Sequence, residues 1–233
     1  MTPIDATQWK YPTLTKPESD GAFCYHIQRR ISARLSVRLA RHMGPNAATG
    51  LDMLIGLGAA VLVLLDCWVW GVVLIQIFGI FSCVDGEIAR IQGQPSKLGD
   101  FLDTLTDRVT EFLLIAAISI SLCSQVAPLS ALSASFAMLG GVFVLTTSSE
   151  KFRSAWQKCY PKRRLEPLFC FLSAGSESRL LILSIGLLAS VATGDASILL
   201  SLLWALAGVT YLNFLVRLAV IHSHFRVDGS GHL

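Results

Sequence analysis

Apolar residues fill six long segments of the chain, and short polar links separate these segments. The segments cover residues 47–65, 68–92, 100–123, 127–148, 178–193 and 196–222. A helix of about 20 apolar residues crosses the roughly 30 Å of hydrocarbon in a bilayer, and each segment approaches or exceeds that length. The pattern therefore predicts an all-α integral membrane protein with six transmembrane helices.

The stretch before the first apolar segment has a different pattern. From Ala22 to Met43, apolar residues recur at helical spacing among five arginines. Such a charged helix does not span a bilayer and is typical of an amphipathic helix lying on an anionic membrane surface. Docking of the same helix on the transmembrane bundle is an equal alternative, and the two are compatible. We expect a cytoplasmic N-terminal segment (1–43), a six-helix membrane domain (44–226) and a short cytoplasmic tail (227–233).

The composition supports a membrane protein and argues against other classes. Of 233 residues, 53% are hydrophobic and 15% are charged, whereas soluble domains carry about 25% charged residues. The net charge of +3 is not gathered in a compact basic domain, so nucleic acid is not an expected partner. The six cysteines lack CxxC pairing, which favours small apolar helix residues over a disulfide framework or a zinc site.

Basic residues in the polar links lie on one side of the predicted bundle. The links at residues 66–67, 124–125 and 193–195 contain no Lys or Arg, whereas the alternate links and the N-terminal segment are basic. The positive-inside rule makes the basic side cytoplasmic. The protein is thus expected in the cell membrane, with both termini and the polar region between the second and third segments facing the cytoplasm.

Four aspartates gather where the second apolar segment meets the third. Asp100, Asp103 and Asp107 are three and four residues apart, so on a helix they share one face, and Asp85 arrives from the preceding segment. A carboxylate inside a membrane needs a partner, a water-filled cavity or a metal. Carboxylates from two facing helices form a hard-oxygen site suited to Mg²⁺ or Mn²⁺.

The same region resembles the signature of the CDP-alcohol phosphotransferase family, D-x2-D-G-x2-A-R-x8-G-x3-D-x3-D. The matching residues are Asp85, Gly86, Ala89, Arg90, Gly99, Asp103 and Asp107. Ser82 stands where the first aspartate is expected. The resemblance covers the chain from about Lys16 to Arg226, and it implies six helices around a polar cavity and assembly as a homodimer.

The resemblance also implies a reaction and the residues that carry it. A phosphoalcohol group, phosphatidyl or phosphoinositol in type, would pass from a CDP-linked donor to an acceptor alcohol with release of CMP, in phospholipid or polyol-phosphate biosynthesis. Asp85, Asp103 and Asp107 would bind Mg²⁺ or Mn²⁺, with Ser82 at a further ligand position, and Asp107 would be the general base. The nucleotide would be bound by Gly86, Ala89, Arg90, Gly99, Asn46 and Thr49.

Other stretches resemble the branch of the family that uses inositol phosphate, such as the di-myo-inositol phosphate phosphate synthases. These stretches cover residues 16–21, 27–32, 44–49 and 148–153. Lys151, Arg153 and Arg179 are candidates for binding the phosphate of a phosphorylated acceptor through charge-assisted hydrogen bonds. For Lys151 and Arg153, snorkelling to the membrane interface is at least as good an interpretation. The acceptor alcohol itself is left open.

Ser82 leaves the activity open. A hydroxyl is neutral, so the predicted metal site lacks one negative charge, and compensation by Asp100 or Glu87 is a hypothesis. Asp52 is expected only to avoid lipid, with metal, a sugar hydroxyl and Arg90 as open partners. The alternative function is a catalytically impaired or non-catalytic family member that binds nucleotide or lipid. A carrier or channel ranks last, because the polar residues gather at one side of the membrane instead of throughout its depth.

Overall fold

The structure, a computed structural model, describes Leu14 and residues 20–225, with side chains up to residue 223. The remainder of the predicted N-terminal segment before residue 20 and the predicted tail at 227–233 lie outside the described residues. The helices are numbered in chain order. They are α1 (Arg29–Leu39), α2 (Pro45–Leu64), α3 (Trp68–Phe81), α4 (Val84–Ile91), α5 (Lys97–Cys123), α6 (Pro128–Trp156), α7 (Lys162–Leu165), α8 (Phe169–Leu172), α9 (Ser176–Thr193) and α10 (Ser197–Phe225), and a π-helical turn (Cys24–Gln28) precedes α1.

The long helices confirm the all-α membrane class. Among the described residues, five helical segments are long and apolar enough to cross a membrane: Pro45–Leu64, Trp68–Ile91, Pro128–Trp156, Ser176–Thr193 and Ser197–Ser223. The remaining predicted span, the third segment at 100–123, corresponds to α5, which has 27 residues. Carboxylates and basic residues along its first half make α5 more polar than the other five. The count of six spans therefore stays a prediction.

The second predicted segment is interrupted at Ser82 and Cys83, between α3 and α4. The N–H of Cys83 donates to the carbonyl of Ile80, three residues back, at 3.3 Å, which tightens the chain and ends α3. Helix α4 then begins with Asp85 and Glu87 in its first turn, where the helix dipole favours carboxylates. The break lies at the start of the aspartate motif, so Asp85 enters the bundle on a short helix of its own.

The main apolar core lies between α2, α3, α5, α6, α9 and α10. Among its fully buried members are Ile75, Leu114, Met138, Leu187 and Leu203. A second, smaller core joins α1, α2 and α4. Many large apolar side chains on the long helices point outward instead, among them Leu54, Trp70, Phe112, Phe136 and Phe143. Exposed apolar surface on this scale indicates a membrane-facing protein.

Helix α1 docks on the bundle through its polar face. Glu87 of α4 is fully buried and accepts hydrogen bonds from Arg29 at 3.0 Å, Ser32 at 2.8 Å and Ser36 at 2.7 Å. Arg29 also binds Asp20. Arg29, one of the five arginines of this segment, is therefore held inside the protein by two carboxylates.

The apolar residues of the same region face outward. The side chains of Ile27 and Ile31 are 50% and 47% exposed. Docking of this segment on the bundle is therefore observed, and its position on a membrane surface stays a prediction. The segment is packed on the protein's own helices, and it retains apolar groups suited to the membrane interface.

Two buried ion pairs connect distant parts of the chain. Arg179 of α9 binds Glu111 of α5 through two N–H groups, at 2.6 and 2.8 Å. Arg217 of α10 binds Glu166, between α7 and α8, at 2.7 and 2.9 Å. Breaking such a pair from one side leaves an uncompensated buried charge, so these pairs fix how the helices assemble around the site.

Candidate active site

Helices α2, α3 and α5 meet closely at Gly56. A Cβ atom at Gly56 would lie 2.4 Å from Cγ2 of Thr110 and 3.1 Å from the ring of Phe78. Only glycine permits this approach. The end of the bundle where α2 and α5 begin and α3 ends is called the aspartate end below. One helical turn from this contact toward the aspartate end lie Asp52 of α2, Asp107 of α5 and Ser82, the residue that follows α3.

A cavity of about 160 Å³ opens at the aspartate end, next to α4. It collects predicted metal and nucleotide residues: Thr49, Asp85, Gly86, Ala89, Arg90, Gly99 and Asp103. Asp85 is buried, and its Oδ2 accepts a hydrogen bond of 2.6 Å from Oγ1 of Thr49. The hydroxyl of Thr49 thus links α2 to the aspartate motif.

Gly86 lines this smaller cavity and has no side chain to fill it. A Cβ atom at Gly86 would come no closer than 3.5 Å to another group, the guanidinium of Arg90. Packing within the protein would therefore allow an alanine at this position. Because the residue is glycine, the space that a methyl group would fill stays open in the cavity. Arg90 donates from Nη2 to the carbonyl of Leu14 at 2.8 Å, while its buried Nε has no hydrogen-bond partner among the described residues.

Asn46 lies just beside the smaller cavity. It lines an adjoining recess with Gly44, Pro45 and Ala47 of the α2 start and with Gln94, Pro95 and Ser96 of the link before α5. Pro45 and the same three link residues also border the smaller cavity. Asn46 is therefore at the mouth of the predicted nucleotide site, one step outside the cavity that holds Thr49.

A larger cavity of about 230 Å³ lies on the other side of Asp100 and Asp103, which line both cavities. Ser82 and Asp107 face this larger cavity. Five basic side chains also line it: Arg29, Arg108, Arg153, Lys162 and Arg179. Lys151, a predicted acceptor-phosphate residue, is exposed and lines neither cavity.

The basic residues of the larger cavity differ in how they are held. Arg153 pairs with Asp100 at 2.5 Å, and the two side chains are 41% and 43% exposed. Arg179 is buried and bound to Glu111, so its charge is already neutralised. The pair of Arg153 with Asp100 is the more accessible to a competing phosphate.

Lys162 was not predicted from the sequence, and it is the notable addition to this cavity. Burial lowers the pKa of the Lys162 amine, and the carboxylate of Glu177 opposes this effect. Glu177 lines the same cavity, and its buried Oε1 has no hydrogen-bond partner among the described residues. Lys162 lies far from the aspartate motif along the chain, in a run of basic residues of the kind found on protein surfaces. No local sequence pattern therefore predicted that it lines the cavity.

The donor set at the aspartate end fits a hard divalent cation. Asp52, Asp85, Asp103 and Asp107 come close enough that their carboxylates repel one another. Within the described part of the chain, no three such side chains surround a single point. Mg²⁺ usually keeps several waters and takes only one or two carboxylates along with substrate phosphate, so a ready-made protein cage is not required.

The hypothesis that Glu87 compensates for Ser82 is wrong. Glu87 is turned toward α1, where Arg29, Ser32 and Ser36 occupy its carboxylate. Asp100 remains at the cavity wall, and its carboxylate is paired with Arg153. Neither residue therefore presents an unengaged carboxylate at the level of Ser82.

More than half of the chain matches the model of a known protein family. The family model described as CDP-alcohol phosphatidyltransferase matches residues 42–168. The chain belongs to this family. The match covers α2 to α7 and includes every residue of the aspartate motif, so the resemblance seen in the sequence is confirmed.

Relatives within the CDP-alcohol phosphatidyltransferase family agree with the inositol-phosphate branch. The chain is 30% identical to the bifunctional IPC transferase and DIPP synthase of Thermococcus kodakarensis, over 82% of this chain and 43% of that protein. It is 34% identical to the Archaeoglobus fulgidus protein of the same name, over 60% of this chain and 27% of that protein. The chain therefore spans less than half the length of these curated relatives.

A solved structure of a CDP-alcohol phosphatidyltransferase relative has the same fold. The Mycobacterium tuberculosis phosphatidylinositol phosphate synthase with CDP-DAG bound superposes with a TM-score of 0.67. The superposition covers 87% of this chain and 100% of that chain, at 18% sequence identity. The fold is therefore preserved where most of the sequence has diverged.

Proposed function

We propose that the protein is a divalent-metal-dependent membrane transferase that moves a phosphoalcohol group from a CDP-linked donor to an acceptor alcohol and releases CMP. The observation that carries this proposal is the pair of adjoining cavities. One holds the nucleotide side of the family motif, the other holds basic residues, and Asp103 lines both. A donor and an acceptor can thus approach the same carboxylates from two sides.

The smaller cavity suits the cytidine diphosphate of the donor. Gly86 leaves room for a ligand against α4, and Arg90 offers an N–H group without a partner among the described residues. Asp85 and Asp103, with Asp107 alongside, would hold Mg²⁺ or Mn²⁺. When bound, such an ion neutralises pyrophosphate charge.

The reaction needs one proton transfer and one displacement at phosphorus. The acceptor hydroxyl oxygen attacks the β-phosphorus of the donor, a new P–O bond forms, and the bond from that phosphorus to the CMP oxygen breaks. CMP leaves with the electron pair of the broken bond. Asp107, which faces the larger cavity beside Ser82, accepts the hydroxyl proton as general base.

The larger cavity suits an acceptor that carries a phosphate. Arg153 and Lys162 place positive charge there, and Arg–phosphate pairs form strong charge-assisted hydrogen bonds. The names of the relatives, IPC transferase and DIPP synthase, support an inositol-phosphate type of acceptor. Assembly as a homodimer and a cytoplasm-facing site, which the family resemblance and the loop charges favour, complete the proposal.

The direct test is CMP release by the purified protein in detergent. CDP-diacylglycerol and CDP-inositol serve as donors, inositol phosphate, glycerol phosphate and serine as acceptors, and Mn²⁺ or Mg²⁺ is added. We expect metal-dependent CMP release that Asp107→Asn lowers by at least about 100-fold, the lower range for loss of general base catalysis. Asp195→Asn, in the exposed link before α10, is the matched control and should retain activity.

Ser82 favours a second candidate, a family member that binds nucleotide without turnover. This candidate predicts that wild type binds CDP but releases no CMP, and that Ser82→Asp gains metal-dependent release. Activity of the wild type that Asp107→Asn abolishes would exclude it. If neither protein releases CMP or binds CDP, the transferase proposal itself fails.

A further inference from the structure

Asp52 of α2 is a buried carboxylate that the reaction described above does not use. The residue is 2% exposed, and its Oδ1 has no hydrogen-bond partner among the described residues. An unpaired carboxylate is costly in a protein interior, and more so in a helix long and apolar enough to cross a membrane. In its charged form, this carboxylate needs a positively charged partner.

The face of α2 that carries Asp52 is turned toward the aspartate motif. Thr49, Asp52 and Gly56 are spaced by three and four residues, so they line one face of the helix. At one end of this face Thr49 bonds to Asp85. At the other end Gly56 abuts Thr110, which is three residues after Asp107. Asp52 lies between these two contacts and thus between the carboxylates of α4 and α5.

Ser82, the residue that follows α3, lies at the same level as Asp52. Gly56 approaches Phe78 as well as Thr110, and one turn beyond Phe78 toward the aspartate end is Ser82. The Ser82 hydroxyl makes a hydrogen bond of 3.5 Å to the carbonyl of Gly79, within its own helix turn. The negative charge that the motif lacks at Ser82 is therefore present at the same depth on α2, at Asp52.

Three neighbouring carboxylates act on Asp52. Asp107, Asp85 and Asp103 all repel the Asp52 carboxylate. Arg29 binds Asp20 and Glu87, Arg179 binds Glu111, and Arg90 donates to the carbonyl of Leu14. A cation would relieve the repulsion among these aspartates and give Asp52 its missing partner.

We propose that Asp52 supplies the carboxylate that the motif lacks at Ser82, and so completes a divalent-cation site shared by α2, α4 and α5. The inference rests on the proposed function, since the cation would be the one that serves the same donor site. It differs from the family pattern in the source of one ligand, which comes from the first long helix instead of position 82.

The test is Mn²⁺ binding to the detergent-purified protein without any substrate, measured as free Mn²⁺ by electron paramagnetic resonance. We expect Asp52→Asn to weaken Mn²⁺ affinity by at least about tenfold, the scale seen even when an outer-shell residue is changed. Ser82→Asp in the Asp52→Asn background should restore the affinity. Asp195→Asn, which removes an exposed carboxylate at the other end of the bundle, should leave it unchanged.

Thermal unfolding provides the check on folding. Without Mn²⁺, Asp52→Asn should unfold no earlier than wild type, because the change removes repulsion, and it should lose the stabilisation that Mn²⁺ confers on wild type. Unchanged Mn²⁺ affinity in Asp52→Asn would overturn the inference. If Asp52→Asn loses Mn²⁺ affinity and Ser82→Asp in that background does not restore it, the proposal that Asp52 takes the place of the missing motif aspartate is also overturned.

The proposed function and this inference fail in different ways. Mn²⁺ binding that depends on Asp52, together with no CMP release from any donor, would retain the cation site and reject the transferase. Mn²⁺-dependent CMP release that Asp52→Asn leaves intact would retain the transferase and reject the role of Asp52.

Discussion

Gly56 and Gly86 both lie beside the site, but only one of them is required by the packing around it. Gly56 is required by packing, since a Cβ atom there would lie within 2.4 Å of Thr110. Gly86 is not, since the nearest group to its Cβ would be the Arg90 guanidinium at 3.5 Å. Glycine inside a helix costs about 0.5–1 kcal/mol relative to alanine. A glycine that costs stability without serving packing points to a ligand that needs the space.

The first prediction follows from this contrast. Gly86→Ala should raise the thermal unfolding temperature slightly and weaken CDP binding, because the new methyl group occupies the smaller cavity. Isothermal titration with CDP and Mn²⁺ measures the second effect. Gly50→Ala is the matched control, since a Cβ atom there meets nothing within 4 Å and the helix gains the same propensity. Equal CDP affinity in Gly86→Ala and wild type would contradict the assignment.

Individual residues also show what sequence can assign and what it cannot. The motif predicted the shared location of Asp85, Arg90 and Asp103 because their spacing on two consecutive helices fixes their faces. Lys162 and Asp52 were left without roles because their neighbours lie tens of residues away along the chain. Asp52 reaches the site only through the packing of α2 against α5, and Lys162 only through the position of α7 beside the larger cavity.

At the scale of helices, buried ion pairs orient the elements around the cavities. Glu111 lies four residues after Asp107 on α5, and its pair with Arg179 aligns α9 with the same face. Both side chains are almost fully buried. Removing one partner of such a pair costs about 3–5 kcal/mol, because the remaining charge is buried alone. The pair thus contributes to the shape of the larger cavity through the position of α9.

The second prediction concerns this pair. Glu111→Gln should lower the thermal unfolding temperature in detergent strongly, and the double variant Glu111→Gln with Arg179→Met should recover part of the loss because no charge remains unpaired. Asp100→Asn, which breaks the half-exposed pair with Arg153, is the control and should cost no more than about 1 kcal/mol. A double variant less stable than Glu111→Gln would contradict this account.

The long helices followed the apolar pattern closely, and the exceptions have physical causes. The first segment, predicted at 47–65, forms Pro45–Leu64. The break at Ser82 and Cys83 was missed because those residues are small and only weakly polar, and so left the apolar run uninterrupted. Helix α6 continues to Trp156, beyond the apolar segment predicted at 127–148. The residues after 148 are mostly polar, which excludes them from the hydrocarbon of a membrane but does not prevent them from forming a helix.

At the scale of the whole molecule, the two ends of the bundle have different characters. The pair of Arg153 with Asp100 places the end of α6 beside the start of α5, at the aspartate end. At the opposite end Ser121 donates to Asp66, which joins the end of α5 to the α2–α3 link. Both cavities and the basic links are at the aspartate end, so the direction of the chain in the membrane decides which compartment supplies the substrates.

The third prediction tests that direction with two exposed cysteines. Cys67 lies in the α2–α3 link and Cys159 in the α6–α7 link, so they mark opposite ends, and both are exposed. Single-cysteine proteins that retain one or the other would be treated in intact cells with a membrane-impermeant maleimide. We expect Cys67 to be labelled and Cys159 to be protected until the membrane is broken, because the basic links retain the Cys159 end in the cytoplasm.

The buried thiols provide the control for this labelling. Cys24, Cys83 and Cys170 are buried, so a protein that retains Cys170 alone should remain unlabelled in broken membranes unless it is unfolded by detergent. Labelling of Cys159 but not of Cys67 in intact cells would reverse the orientation and place both cavities outside the cell. Cytoplasmic CDP-linked donors could not reach a site so placed, and the transferase would then need an extracytoplasmic source of nucleotide.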